Sequence, residues 1–133
     1  MNLKKTITFD VCGHNYEVPA DFRAIELVEN VYQAGADYVI TLLADARAIR
    51  RTQVARVISQ WPRDLARDEN GKPVSRQEIY EAVIESPPEQ LSRYVGCIQG
   101  AVGYALNYID EEAMEKLQRG EDLDTLEKPH GGS

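Results

Sequence analysis

The sequence predicts an α+β domain, mostly α, in which an N-terminal β-hairpin packs on a bundle of about five helices. Three observations carry this. Residues Thr6 to Val11 alternate apolar and polar side chains, the period of a half-buried strand. From Asp21 onward apolar residues recur at spacings of three and four, the period of amphipathic helices. The length of 133 residues suits one domain whose core needs neither metal nor disulfide staples.

The hairpin is expected over residues 5–18. Ile7, Phe9 and Val11 share one face, Gly13 supplies the positive φ of a tight turn, Tyr16 to Val18 return, and Pro19 stops the strand. A lone hairpin is marginal in water, so its apolar face must lie on helices. Helices fill residues 21–119. Asp21 opens the first, with Phe22, Ile25, Leu27, Val28, Val31 and Tyr32 as its apolar side and Gly35 as its terminating glycine. Asp37 starts a short helix to about Ala46, and Arg47 to Arg51 form the joint. Thr52 is expected to cap a helix that buries Val54, Val57, Ile58 and Trp61. After a turn at Asn70-Gly71, Ser75 and Glu78 have the spacing of a capping box, with Val74 and Ile79 as its hydrophobic staple.

The longest helix is expected from a Ser86 cap to about Ile109. Leu91, Val95, Ile98, Val102, Ala105 and Ile109 form its stripe. Beside them lie Gly96, Cys97, Gly100, Ala101 and Gly103. Each interior glycine costs up to about 1 kcal/mol relative to alanine, so this seam implies the close approach of another backbone. Intrachain packing is the favoured source; a second copy, in a homo-oligomer, is the other. Asp110 to Gln118 continues this helix or restarts after a break. With few apolar anchors, residues 120–133 read as a flexible acidic tail.

The net charge of −7 weighs against nonspecific nucleic-acid binding. It is unevenly spread: six arginines and one acid, Asp64, lie between Ala46 and Arg67, whereas eight acids lie between Asp110 and Glu127. Cys12 and Cys97 are read as free thiols of a reducing cytoplasm, since two cysteines make no disulfide framework. Met1 to Asp10 does not read as a signal peptide, and the apolar run Tyr38 to Ala44 is too short to span a membrane.

No catalytic constellation emerges. His14 and His130 form no metal pair or Cys–His dyad, and Glu26/Glu29 and Glu111/Glu112/Glu115 read as solvated charge. Gly96, Gly100 and Gly103 sit within a helix and do not follow a strand, so they are no phosphate loop. The expectation is a protein without catalytic, cofactor-binding or metal-binding residues. The Arg47–Arg67 segment loosely resembles a helix-turn-helix, but its apolar residues occupy the face needed for packing.

Three stretches, read with the order of elements, carry a sharper resemblance: Thr6-Ile-Thr-Phe-Asp-Val with Tyr16-Glu-Val; Asp21-Phe-Arg-Ala-Ile-Glu-Leu-Val-Glu-Asn; and Ser75-Arg-Gln-Glu-Ile-Tyr to Ile84. Over roughly Thr6 to Asn107 the chain resembles the tail assembly chaperones of tailed phages and gene transfer agents. The resemblance implies a non-enzymatic protein of the bacterial host cytoplasm that binds phage tail proteins. The long helical tape-measure protein would be its partner before the tail tube polymerises. Such binding is helix-in-groove, an exposed apolar strip shielding a partner's helix. The resemblance carries no site residues across. From this sequence, Tyr94, Tyr104 and Tyr108 fall off the main stripe and, with Gly96, Gly100 and Gly103, are the candidate partner-binding residues. The alternatives are a small virion structural or adaptor protein, or a DNA-binding regulator using Arg47–Arg67.

Overall fold

A computed structural model describes residues 5–119. The expected acidic tail, residues 120–133 with His130, lies outside the described residues. In chain order the elements are β1 (Thr6–Val11), β2 (His14–Pro19), α1 (Phe22–Tyr32), α2 (Ala36–Leu43), a 3-10 turn (Ala46–Ala48), α3 (Arg51–Gln60), α4 (Arg76–Ile84), α5 (Pro88–Ala105) and α6 (Glu111–Gln118). The fold is α+β and mostly α, as the periodicity predicts, with six α-helices where about five are expected.

The hairpin turn is two residues long, and both are left-handed: Cys12 has φ 55° and Gly13 φ 76°. Such a turn matches the natural twist of the strands. It sets the register Ile7 to Val18 and Phe9 to Tyr16. These four residues and Val11 are buried on one face. Phe9 is the centre of an aromatic cluster, with ring centroids 6.0 Å from Tyr16, 6.0 Å from Trp61 and 6.3 Å from Tyr94. Polar tips tie the same groups to the hairpin backbone. Trp61 Nε1 donates to Pro19 O at 3.0 Å, and Tyr94 Oη donates to Asp10 O at 2.9 Å.

Asp21 caps α1, its side chain accepting from Arg23 N at 3.0 Å. The buried stripe of α1 is Ala24, Val28 and Val31. Phe22, expected in that stripe, is instead 62% exposed, and the Arg23 guanidinium lies 5.7 Å from its ring centroid. At 100° per residue Phe22 stands about 200° round from Ala24, so burying one turns out the other. The helix ends on Gln33 at φ 55°, not on Gly35. Gly35 serves as the N-cap of α2, with φ −66°. Glu29, read as solvated charge, accepts from Ala36 N at 2.8 Å and joins the end of α1 to the start of α2.

A Cβ on Gly35 meets nothing within 4 Å, and its backbone is that of an ordinary N-cap without a side-chain bond. Gly35→Ser therefore supplies a missing cap, and we expect a gain of a few tenths of a kcal/mol in thermal or urea melts. A loss of stability would show that this cap site is closed to a side chain.

α2 ends at Leu43, short of Ala46, because Asp45 caps the 3-10 turn by accepting from Arg47 N at 3.0 Å. α3 begins at Arg51 with Arg50 in the cap position, so Thr52 lies inside the first turn and does not cap. Its buried face is as expected: Val54, Val57, Ile58 and Trp61. The Ser75–Glu78 capping box is complete, and Val74 and Ile79 are both buried. Ser86 does not cap α5. Its Oγ donates to Ala82 O at 2.8 Å, closing α4, and Pro87 holds the cap position of α5. A serine just beyond a helix has this competing bond to the preceding turn within reach.

α5 ends at Ala105, four residues before the expected Ile109. Asn107 at φ 67° breaks the helix. Asp110 then caps a restarted α6 by accepting from Ala113 N at 2.9 Å.

Candidate functional site

The glycine seam of α5 is filled by the chain's own α6. A Cβ on Gly96 would lie 2.3 Å from Leu117 O, and one on Gly100 3.1 Å from Met114 O. One on Gly103 would lie 3.4 Å from the Ile109 side chain. The six candidate partner-binding residues therefore do not form one strip. Gly96, Gly100 and Gly103 are buried beneath α6 and the turn before it. Tyr94 is 3% exposed and belongs to the aromatic core. Tyr104 is half-buried. Tyr108 alone is open, at 62%, and its hydroxyl donates to the Asp37 carboxylate next to exposed Tyr38.

What the fold leaves open is a groove of about 440 Å³ beside the first turns of α5. Leu91 and Val95 of α5, Leu43 of α2, Ile49 and Leu117 of α6 supply its apolar lining, with Ser92 and Gln99 among its polar groups. Arg51 enters the same lining, and Arg47 and Arg50 are exposed in the adjoining chain. Leu43, Leu91 and Val95 stand in the apolar patterns read from sequence. No sequence signal shows that α6 stops before covering them.

Arg51 is also a structural clamp. Its Nη1 donates to Ile84 O at 2.8 Å and Ser86 O at 2.7 Å, holding the α4–α5 corner against α3. Arg51→Met strands two partly buried carbonyls and is expected to cost about 1–3 kcal/mol in urea melts. A change within error would mean that water replaces the clamp without loss.

The arginine-rich segment is divided by such uses. Arg51 turns inward, Arg47 pairs with Asp45 at 3.3 Å, and Arg67 donates to Gly71 O at 2.7 Å. Arg50, Arg56 and Arg63 are exposed. A second depression, of about 280 Å³ between α3 and α4, contains Arg56 and Arg76. Arg76 Nη1, however, already donates to Ser59 O and Pro62 O, each at 2.9 Å.

Among the described residues no group of three or more His, Cys, Asp or Glu side chains is placed to hold a metal. No described helix is long and apolar enough to cross a membrane. Both cysteines are free: Cys12 is exposed and Cys97 buried. Burial pushes the Cys97 thiol up to about 12, and its Sγ lies 3.5 Å from Thr8 O, to which it donates. Burial likewise pushes Tyr32 up to about 12.

A thiol that titrates later in the folded than in the unfolded chain keeps its proton longer in the folded state. Its contribution is complete below its unfolded value of 9.0 and is lost as pH rises towards about 12. We expect unfolding free energy to fall over that window by up to about 1.4 kcal/mol per pH unit from Cys97 alone. Tyr32 acts in the same direction. Cys97→Ala should flatten the slope between pH 9.0 and the onset of tyrosine titration, as read by urea melts at stepped pH. An unchanged slope would remove Cys97 as its source.

No family model matches the chain, nor does any curated protein or solved structure.

Proposed function

We propose that this chain is a non-enzymatic, phage tail assembly chaperone-like protein of the bacterial cytoplasm, and that it holds an amphipathic helix of the tape-measure protein before tail assembly. The observation that carries this reading is the groove lined by Leu43, Ile49, Leu91 and Val95, in which Ile49 and Leu91 are only partly buried. Its shape and lining suit the apolar side chains of one helix face, presented at spacings of three and four. Arg47, Arg50 and Arg51 favour acidic residues flanking that face. The hairpin-then-helices order that supports the family resemblance is present throughout Thr6 to Ala105.

The test is co-expression with the long helical protein encoded nearby in the source genome, followed by affinity capture in moderate salt. We expect co-purification that Leu91→Glu abolishes without lowering the melting temperature, and that Phe22→Glu, outside the groove, leaves intact. Failure to co-purify, with this protein in fixed copy number in purified particles, would replace the chaperone by a structural or adaptor protein. Retention on DNA that falls steeply with salt would instead favour the regulator.

A further inference from the structure

α6 is lightly tied to the rest of the fold. Of its eight residues only Met114 is buried, whereas α5 buries nine of eighteen. Eight residues are too few for a helix to persist alone in water, so α6 is helical because it is docked. Its backbone bonds close locally. Asp110 accepts from Met114 N through its carbonyl and from Ala113 N through its side chain, while Tyr108 N donates back to Gly103 O. Among the described residues no backbone hydrogen bond joins residues 109–118 to another element. Two side-chain bonds cross instead: Lys5 Nζ donates to Glu111 at 2.9 Å, and Gln118 Nε2 to Thr8 Oγ1 at 2.7 Å. The joint, residues 106–110, turns at Asn107 with φ 67°, and Asn107, Tyr108 and Asp110 are exposed. The hairpin, by contrast, is held by buried Ile7, Phe9, Val11, Tyr16 and Val18 and by bonds from Trp61, Tyr94 and Cys97.

The groove depends on the same docking. Leu117 is the α6 residue in its lining, and Leu117 O lies against Gly96, which lines the groove from α5. We propose that α6 is a hinged wall. It docks and undocks as one unit about residues 106–110, and the groove is complete only while it is docked. A helix that fills the groove reaches Leu117 and so shifts the equilibrium towards the docked state. By reciprocity, weakening the dock weakens what binds. The motion follows from the packing of α6; its coupling to a bound helix rests on the proposed reading of the groove.

Hydrogen exchange on the full chain tests the motion without a partner. We expect the amides of Met114 to Gln118 to be protected uniformly, about a hundredfold less than those in the central turns of α5, and to a degree that low urea hardly changes. Protection equal to that of α5, with the same urea dependence, would overturn the inference, because α6 would then open only when the whole chain unfolds. Protection that falls steadily towards Gln118 would overturn it too, as fraying from one end. The coupling is read in the co-expression experiment. Met114 lies outside the groove lining, so Met114→Ala alters the dock and not the contact surface. We expect it to lower capture of the long helical protein about fivefold, Met114→Leu to restore capture, and the captured protein to slow exchange in α6. Stronger capture by Met114→Ala would mean that α6 competes for the groove, and would overturn the coupling. If no variant captures the protein, the helix-site reading falls, and the exchange pattern still decides the motion.

Discussion

Gly96→Ala should lower the unfolding free energy by about 1–3 kcal/mol, although alanine is the better helix former by up to about 1 kcal/mol. The added methyl would lie 2.3 Å from Leu117 O, a backbone atom that moves only if α6 moves. The steric loss therefore exceeds the propensity gain. The seam also predicts an order. At Gly100 the nearest atom, Met114 O, is 3.1 Å away, so a small shift of α6 admits a methyl and the two effects nearly cancel. At Gly103 the nearest atoms are side-chain carbons of Ile109 at 3.4 Å, an ordinary contact, so alanine should be neutral or stabilising there. Leucine at position 100 has no such relief and should undock α6 or unfold the chain. Urea melts of the three alanine variants check the order. Gly96→Ala at least as stable as the unmodified chain would mean that α6 is not held against α5 in solution.

Phe9→Ala is expected to cost about 3–5 kcal/mol, the range for emptying a buried aromatic site. Phe9 touches Tyr16 of its own hairpin, Trp61 of the α3 end and Tyr94 of α5, so its ring joins three separate pieces of chain. A two-stranded sheet has little stability of its own, and losing this ring leaves the hairpin held mainly by Ile7, Val11 and Val18. Trp61→Phe tests a different contribution. It keeps most of the apolar area but removes the bond to Pro19 O, and should cost nearer 1 kcal/mol. Circular-dichroism melts in urea measure both. A Phe9→Ala loss no larger than that of Trp61→Phe would contradict the central place given to the ring.

Much of the fold is legible from local chemistry. Alternation finds the strands, and Asp21 and Ser75 mark helix starts because a short acceptor side chain satisfies amides that the helix leaves open; of the two courses open at Asp110, the structure takes the restart. The buried side of α3 follows from spacing alone. Competing local bonds defeat the same rules elsewhere. Ser86 is sequence-compatible with capping the next helix and with closing the previous one, and the second use prevails. Gly35 is a terminator by residue type, yet Gln33 takes the left-handed position two residues earlier. Phe22 shows that an apolar residue at a helix start need not belong to the stripe. The candidate site was the least legible. The seam's need for a close backbone follows from three glycines, but the partner turned out to be α6, reached only after Asn107 reverses the chain. Tyr94 lies beside that seam in sequence, yet its ring faces Phe9. The groove arises from where α6 stops relative to α5, a tertiary relation that no window of sequence contains.

The hydrogen bonds that Tyr94 and Cys97 send to the hairpin have a consequence for aggregation. With a two-residue turn closing at Val11 and His14, the backbone groups of Thr8 and Asp10 point away from β2. These are the carbonyls that Cys97 Sγ and Tyr94 Oη engage, so α5 lies along the outer side of β1 and occupies two of its acceptors. Among the described residues β2 pairs with no strand but β1, and Pro19 at its end offers no amide for a neighbouring strand and a carbonyl that Trp61 already engages. Strand-by-strand growth of a fibril requires each added molecule to present two free edges. A sheet with one such edge can join a second sheet once and then terminates the stack.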